Sequence, residues 1–566
     1  MKIRTLMLLL LTALVLPAFA QKHIYRGLTA RECPDGSAFI SWRMLETDDQ
    51  DVAFLLTRRT VGDPGSFEDL KLVNNGNINN FADKDVEQGK SYQYYLFDKK
   101  RPRRAIQKTS LKITGKAKPY ISIPLKGNYD FQKIAIGDLD GDGEFEYVIK
   151  QPNFNTDPYQ KPGYWKKSID TYKLEAYDGN GRFMWRYDMG WSIEAGIWYS
   201  PWIVYDIDGD GKAEIYCKAG EGDPRDEKGL VQSGAEWLVK LDGQTGKVVA
   251  KTDWLSRDGF SSYNYYCRNF LTVAYLDGVN PSLVMQRGTY RLIKMQALDK
   301  DFNKLWYWDA KQDGPYKKYR GQSSHGLISA DVDQDGKDEL VMGAAVIDND
   351  GTGLWTLAMG HPDECYCADI DLNNPGLEIF YGFETRQKTD GFCVVDAKTG
   401  KKLWTHKEPT KHLHGQGMCG DVLADFPGME VYGGERDSKD RWLYSAKGEL
   451  IKLYQGGTLS PRPVWWDADP TKEVVMNGAI RDWGQEAMQK IEGRLIVVVD
   501  CIGDHREEVI TTVKGKGVKK GELRIYSTTI PSTTMRPCLM QDRQYRLGVC
   551  AQTMGYYYPA QLGLKK

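Results

Sequence analysis

Carboxylates recur in this chain at a spacing suited to holding a hard cation. One run reads Asp138-Leu-Asp140-Gly-Asp142-Gly143-Glu144-Phe-Glu146. It is repeated as Asp206-Ile-Asp208-Gly-Asp210-Gly211-Lys212-Ala-Glu214 and as Asp331-Val-Asp333-Gln-Asp335-Gly336-Lys337-Asp-Glu339. Acidic side chains at alternate positions converge on one point when a glycine lets the loop turn, and such an oxygen cage takes Ca²⁺. The ligand sets include the seventh-position residues Glu144, Lys212 and Lys337. An EF-hand is excluded, because it needs a glutamate at the twelfth loop position and a helix on each side. Ile149, Cys217 and Met342 stand there instead. The last carboxylate falls at the ninth position, and strand-like runs such as Ile215-Tyr-Cys217 follow it. The loops therefore join β-strands.

Looser copies extend the series. They are Asp369-Ile-Asp371 with Glu378, Asp421 with Glu430, Asp467-Ala-Asp469 with Glu473, and Asp500 with Asp504 and Glu508, besides a degenerate Leu276-Asp277-Gly278. Metal binding and an ordinary turn are both open for these weaker copies. Eight loops spaced by about 33 to 71 residues predict an all-β chain, an eight-bladed β-propeller with variable insertions. A second phrase supports blades. Val395-Asp396-Ala-Lys-Thr399-Gly400-Lys-Lys-Leu-Trp404 is echoed at Lys240–Val249 and Ala176–Trp185, each a strand, a tight turn and a strand.

The elements that carry these loops sort into three parts. Lys2 and Arg4, an apolar stretch from Leu6 to Leu16 and Ala18-Phe-Ala20 make residues 1–20 a secretory signal, so a periplasmic or secreted protein is expected. Residues 21–117 show alternating strands such as Ser37-Ala-Phe-Ile-Ser-Trp42 and Ser91-Tyr-Gln-Tyr-Tyr-Leu96, which fit a small fibronectin III-like β-sandwich. Residues 118–566 hold the propeller. A net charge of −1 with no basic block argues against a nucleic-acid partner. No later run of about 20 apolar residues is present, so no membrane span is expected. Ten scattered cysteines leave disulfides and buried free thiols both open, and no CxxC pair suggests a zinc cage.

With these residues in view, the chain resembles the family 11 polysaccharide lyases, the bacterial rhamnogalacturonan lyases. The likeness is carried by Tyr25-Arg-Gly-Leu28 with Ile40-Ser-Trp-Arg43, by Ala195-Gly196 through Tyr199, and by His325-Gly-Leu-Ile-Ser-Ala-Asp-Val-Asp333. It continues through Gly343-Ala-Ala-Val-Ile-Asp348, Gly360-His361-Pro-Asp363, Gly503-Asp504-His-Arg506-Glu-Glu508 and Leu523-Arg-Ile-Tyr526. The resemblance implies a calcium-bearing propeller behind a small β-domain, acting as a monomer on an acidic plant polysaccharide. It also implies β-elimination at galacturonate, with a cation stabilising the carboxylate-linked carbanion. Carried over residue by residue, it makes His325, His361 and Asp363 the substrate-side metal ligands. Asp188, Tyr556 and, in the alternative register, Tyr557 become substrate contacts.

The chain departs from that pattern. Gln485-Glu-Ala-Met-Gln-Lys490-Ile-Glu-Gly493-Arg494 stands where the family has Asn-Gly-Thr-Lys. If the subsites have been rebuilt, Lys490 or Arg494 contributes to catalysis alongside Tyr556. Two other readings stay open: a non-catalytic glycan-binding propeller, and a quinoprotein dehydrogenase. The second is disfavoured because no Cys-Cys pair is present.

Overall fold

The computed structural model describes residues 24–49, 51–62, 68–70 and 78–556, so the expected signal segment and Tyr557 lie outside the described residues. From Ile121 onward, strands fall into eight consecutive four-stranded antiparallel sheets. The first contains Lys133–Gly137, Glu146–Gln151, Lys173–Tyr177 and Phe183–Asp188 in spatial order. The second, third and fourth sheets begin with Trp202–Tyr205, Asn269–Ala274 and Ser323–Ala330. The fifth to eighth begin with Pro362–Ala368, Met418–Gly420, Arg462–Val464 and Arg494–Val499. The eighth is completed from the other end of the array: Ile121–Pro124 pairs antiparallel with Glu522–Tyr526. The strand that precedes the first sheet thus ties the last one shut with backbone hydrogen bonds.

Burial explains the order of strands within a sheet. Second strands such as Glu146–Gln151, Ser282–Arg287 and Glu378–Phe383 are buried along their whole length. Fourth strands such as Val248–Asp253 and Leu450–Gln455 are largely exposed and carry lysines. Continuous apolar runs suit strands covered on both faces, and charged edges discourage pairing with another chain. First strands of neighbouring sheets touch, as Lys133–Gly137 does with both Trp202–Tyr205 and Arg494–Val499. Apolar side chains fill the space between adjacent sheets, for example Val148, Leu174, Val204, Ile215 and Cys217.

A repeated latch holds one sheet to the next. Trp185, Trp306, Trp355 and Trp404 lie on fourth strands, and each indole N–H donates to a carbonyl in the following sheet, at Gly243, Asn349, Ala397 and Ala446 respectively. The acceptors lie in turns between third and fourth strands. A glycine in each turn faces the ring; a Cβ on Gly246 or Gly400 would lie 2.5 or 2.7 Å from the indole. This is the structural sense of the repeated Asp/Gly…Trp phrase.

Residues ahead of Ile121 form two further sheets. Thr29–Glu32, Ala38–Ser41 and Asn80–Asp83 make one, while Glu68–Leu70, Phe54–Thr60, Ser91–Asp98 and Gln107–Lys112 make the other. They share a core built on Ile40, Trp42, Leu56 and Tyr94. This unit docks on the loops of the first and eighth sheets, where buried Arg43 donates to the carbonyls of Gly143 and Cys501 at 3.3 and 2.7 Å.

The C-terminal helix Arg543–Ala551, capped by Asp542 accepting from the Tyr545 N–H, packs against the first strands of the first four sheets. Gln544 donates to Ser329 O near the end of one such strand, whereas Thr553 donates to Trp202 O at the start of another. The helix therefore runs antiparallel to those strands. It delivers Tyr556 to their opening end. All ten cysteines are buried and none is in a disulfide, which decides between the two cysteine readings. Among the described residues, no helix is long and apolar enough to cross a membrane.

Candidate functional site

At the opening end of the fourth, fifth and sixth sheets, four of the seven histidines gather around two carboxylates. His325 stands on Ser323–Ala330, His361 just ahead of Pro362–Ala368, and Asp363 on that strand. Glu384 follows Glu378–Phe383, while His412 and His414 precede Met418–Gly420. His325 Nε2 and His361 Nε2 each lie 3.4 Å from Asp363 Oδ1. His361 Nε2 is 3.3 Å from Glu384 Oε2. The other side of the His361 ring meets the Ser323 carbonyl through Nδ1. That contact takes the Nδ1 proton and turns Nε2 toward the carboxylates.

These atoms do not satisfy one another. Asp363 is buried, yet neither of its oxygens has a hydrogen-bond partner, and His361 Nε2 has none either. Burial and the neighbouring His361 push His325 well below its ordinary range, so its ring is neutral at neutral pH. Burial alone would raise Asp363, but the contacts of His361 and His414 outweigh it and hold the carboxylate below its usual range. Imidazole nitrogens and an ionised carboxylate converging on one point form a donor set for a divalent cation.

Aromatic rings wall the site. Trp198 lies 4.5 Å and Tyr556 5.0 Å from the His325 ring, and Tyr290 lies 4.8 Å from that of His361. The Tyr290 hydroxyl is 3.4 Å from His325 Nε2. Arg268 places its guanidinium over both Trp198 and Tyr290, 5.3 and 4.9 Å from the ring centres. Asp157 anchors it from one side at 2.7 Å.

A family model described as "Rhamnogalacturonan lyase family 11, C-terminal domain" matches residues 125–564. The chain belongs to rhamnogalacturonan lyase family 11. It is 34% identical to the rhamnogalacturonan endolyase YesW of Bacillus subtilis, over 94% of this chain and 89% of that protein. It is 32% identical to the exolyase YesX of the same organism, over 95% and 94% of the two chains. The crystal structure of YesW superposes with a TM-score of 0.84 and covers 96% of each chain. The match begins just past Ile121–Pro124, the strand that closes the eighth sheet.

Sequence reasoning picked out His325, His361, Asp363 and Tyr556, and the fold brings these together. It missed Glu384, His412, His414, Trp198, Arg268 and Tyr290. The His412-Leu-His414 alternation was the available signal, since Leu413 is buried and residues two apart share a face in an extended segment. The other expected site residues lie elsewhere. Lys490 is exposed on Gln489–Lys490, the outermost strand of the seventh sheet, where it pairs with Ala479. Three strand spacings of about 4.8 Å separate such a strand from the first. Arg494 opens the first strand of the eighth sheet and donates to the Phe131 and Gln132 carbonyls. Asp188 ends the outermost strand of the first sheet, and its carboxylate accepts from the Gly190 N–H at 2.9 Å.

The acidic loops occupy one position throughout, the turn from first to second strand, at the end opposite the histidines. Asp138 accepts from the Gly141 and Gly143 N–H groups, and Asp206 from those of Gly209 and Gly211. Asp331 does the same for Asp335 and Gly336. Gly143, Gly211 and Gly336 adopt φ of 84°, 92° and 91°, which permits the sharp turn. The closing glutamates Glu146, Glu214, Glu339, Glu378, Glu430 and Glu508 each accept the backbone N–H just inside the loop start, and Glu473 accepts those of Trp466 and Asp467.

These loops fit a hard cation unequally. Asp138, Asp140 and Glu146 bring oxygens together, as do Asp206, Asp208 and Asp210, and as do Asp467, Asp469 and Glu473 joined by Asp482. Burial pushes Glu146, Glu339 and Glu473 up to about 8, with neighbouring aspartates adding to the effect. In the second loop the Lys240 ammonium already bridges Asp208 and Glu214, at 2.7 and 2.8 Å. The eighth loop departs from the expectation of a metal site. Asp504 is paired with Arg506 at 2.6 Å, and Asp500 accepts the Leu539 N–H at 2.6 Å. Those carboxylates anchor the C-terminal segment instead.

Proposed function

We propose that this chain is an exported, calcium-dependent rhamnogalacturonan lyase that cuts pectic rhamnogalacturonan I by β-elimination at galacturonate. We read the eight-sheet array over residues 118–566 as an eight-bladed propeller and residues 21–117 as a fibronectin III-like domain. The observation that carries the reading is the inward-facing set of His325, His361, Asp363 and Glu384 beside an aromatic wall, in which His361 Nε2 and both Asp363 oxygens make no hydrogen bond. A cation held there supplies positive charge to the uronate carboxylate, where charge accumulates once the C5 proton leaves.

The chain's own groups bind the glycan and supply the acid. Trp198 and Tyr556 offer flat apolar surface to a sugar ring. Arg268 lies against Trp198 and Tyr290 and adds a fixed positive charge for an acidic glycan. Burial raises Tyr290, so its phenol keeps its proton at neutral pH. From there it protonates the departing rhamnose oxygen as general acid. Asp157 keeps Arg268 turned toward the site.

The purified protein, incubated with rhamnogalacturonan I and excess Ca²⁺, is expected to release an unsaturated uronate, followed by its ultraviolet absorbance and abolished by chelator. A flat trace on this and related pectic glycans would favour the non-catalytic glycan-binding reading. The Gln485–Arg494 departure is the feature that speaks for that alternative.

A further inference from the structure

The two carboxylates of the site each have a second oxygen, and those oxygens face a second pair of histidines. Asp363 Oδ1 addresses His325 and His361, whereas Oδ2 lies 2.6 Å from His414 Nδ1. Glu384 Oε2 addresses His361, whereas Oε1 lies 3.5 Å from His412 Nε2. One ligand atom each from Asp363, His412 and His414 falls within 4.8 Å of the others. We propose that His412, His414 and Asp363, with Glu384 at the edge, form a second metal site that takes a zinc-class divalent ion and shares its carboxylates with the first.

Three observations support a ligand here. His414 Nδ1 lies 2.6 Å from Asp363 Oδ2, close enough for both to reach one ion, and neither atom has a second partner. His412 Nε2 is likewise unpartnered. The Asp363 side chain is only 1% exposed, so its two oxygens are shared among His325, His361 and His414 and not with solvent.

The histidines are also held in place. The Glu435 carboxylate accepts the backbone N–H groups of Lys411 and His412, at 2.7 and 3.0 Å, and Leu413 bridges antiparallel to Glu435. Leu413 points into the core, which turns both neighbouring rings to the opposite side. Preorganised ligands backed by a fixed second layer are what a metal site requires.

Ligand chemistry sets the class of ion. Imidazole suits zinc, cobalt, nickel or copper, whereas Ca²⁺ prefers six to eight oxygens. A second set with two imidazoles and one or two carboxylate oxygens therefore suits an ion of that class. Two ions sharing bridging carboxylates sit about 3.5–4 Å apart in known two-metal sites.

This inference shares Asp363 and Glu384 with the lyase reading but stands on metal binding alone, so the two can fail separately. Untagged protein is stripped with chelator, restored with excess Ca²⁺, then titrated with Co²⁺ while the visible ligand-field absorption is followed. A saturable band is expected, retained in His325→Gln and lost in His412→Gln and in His414→Gln. The absence of a band in excess Ca²⁺, or a band unchanged in both His412→Gln and His414→Gln, would overturn the site. Wild-type crystals grown with Zn²⁺ give a check that needs no variant to fold. An anomalous peak between Asp363, His412 and His414 supports the assignment, and no peak there rejects it. The lyase assay in calcium alone reports on the first site whatever the cobalt result.

Discussion

The two ends of the sheet array hold carboxylates in opposite ways. At the loop end each acidic set comes from one short stretch of chain, and its aspartates are spent partly on their own backbone, as Asp138 is on Gly141 and Gly143. At the histidine end the donors come from distant segments on the fourth to sixth sheets, and His361 Nε2 and both Asp363 oxygens make no hydrogen bond. Local closure suits a structural ion that ties two strands. Open convergence suits an ion that must also meet substrate. The same residue type, a buried aspartate, is taken up by its own backbone in one place and turned toward distant imidazoles in the other, according to what already occupies its oxygens.

Changing the histidine end should have the largest effect. His361→Ala is expected to lower turnover about a hundredfold to a thousandfold, with circular dichroism and melting temperature nearly unchanged. An unaltered turnover number would move the active site elsewhere.

The loop end should respond in the reverse sense. Glu146→Gln is expected to cost up to about 3 kcal/mol of calcium-dependent stability, the scale of a saturating ligand lost by linkage, with turnover intact after correction for folded protein. A melting temperature equally low with and without Ca²⁺ in the wild type would remove the ion from that loop.

The pH dependence sharpens the same contrast. Glu146, Glu339, Glu430, Glu473 and Glu508 are raised to about 8, by burial first and by nearby carboxylates next. Their ordinary value is 4.5. A folded value above the unfolded one stabilises fully below the unfolded value, and that contribution is lost as pH rises through the folded value. Chelated protein should therefore melt progressively lower from pH 5 to pH 9. Calcium should flatten the curve. A chelated protein that gains stability over this window would contradict the assignment.

The smallest effect is expected at Lys490. Exposed on an outermost strand, Lys490→Ala should change stability by no more than about 0.5 kcal/mol and leave turnover nearly intact. A loss as large as that of His361→Ala would restore Lys490 to catalysis and require the substrate to wrap around the sheet edge.

The eight-fold repeat was legible in the sequence because each loop is a local object: aspartates, a glycine with positive φ and a closing glutamate are neighbours in the chain. The inter-sheet tryptophan latches were visible only as a repeated phrase, because their acceptors lie in the next sheet.

What the sequence determined alone was the inventory: which turns bend sharply, which strands are buried, and that His325 and His361 are rare residues beside informative neighbours. Tertiary structure decided the partnerships. It brought Glu384, His412 and His414 to Asp363 and threaded the C-terminal helix so that Tyr556 meets His325. It also spent Asp500 and Asp504 on Leu539 and Arg506. The physical reason is that a side chain's chemistry depends on what fills its hydrogen-bonding capacity, and for residues so far apart in the chain only the packing of whole sheets sets that.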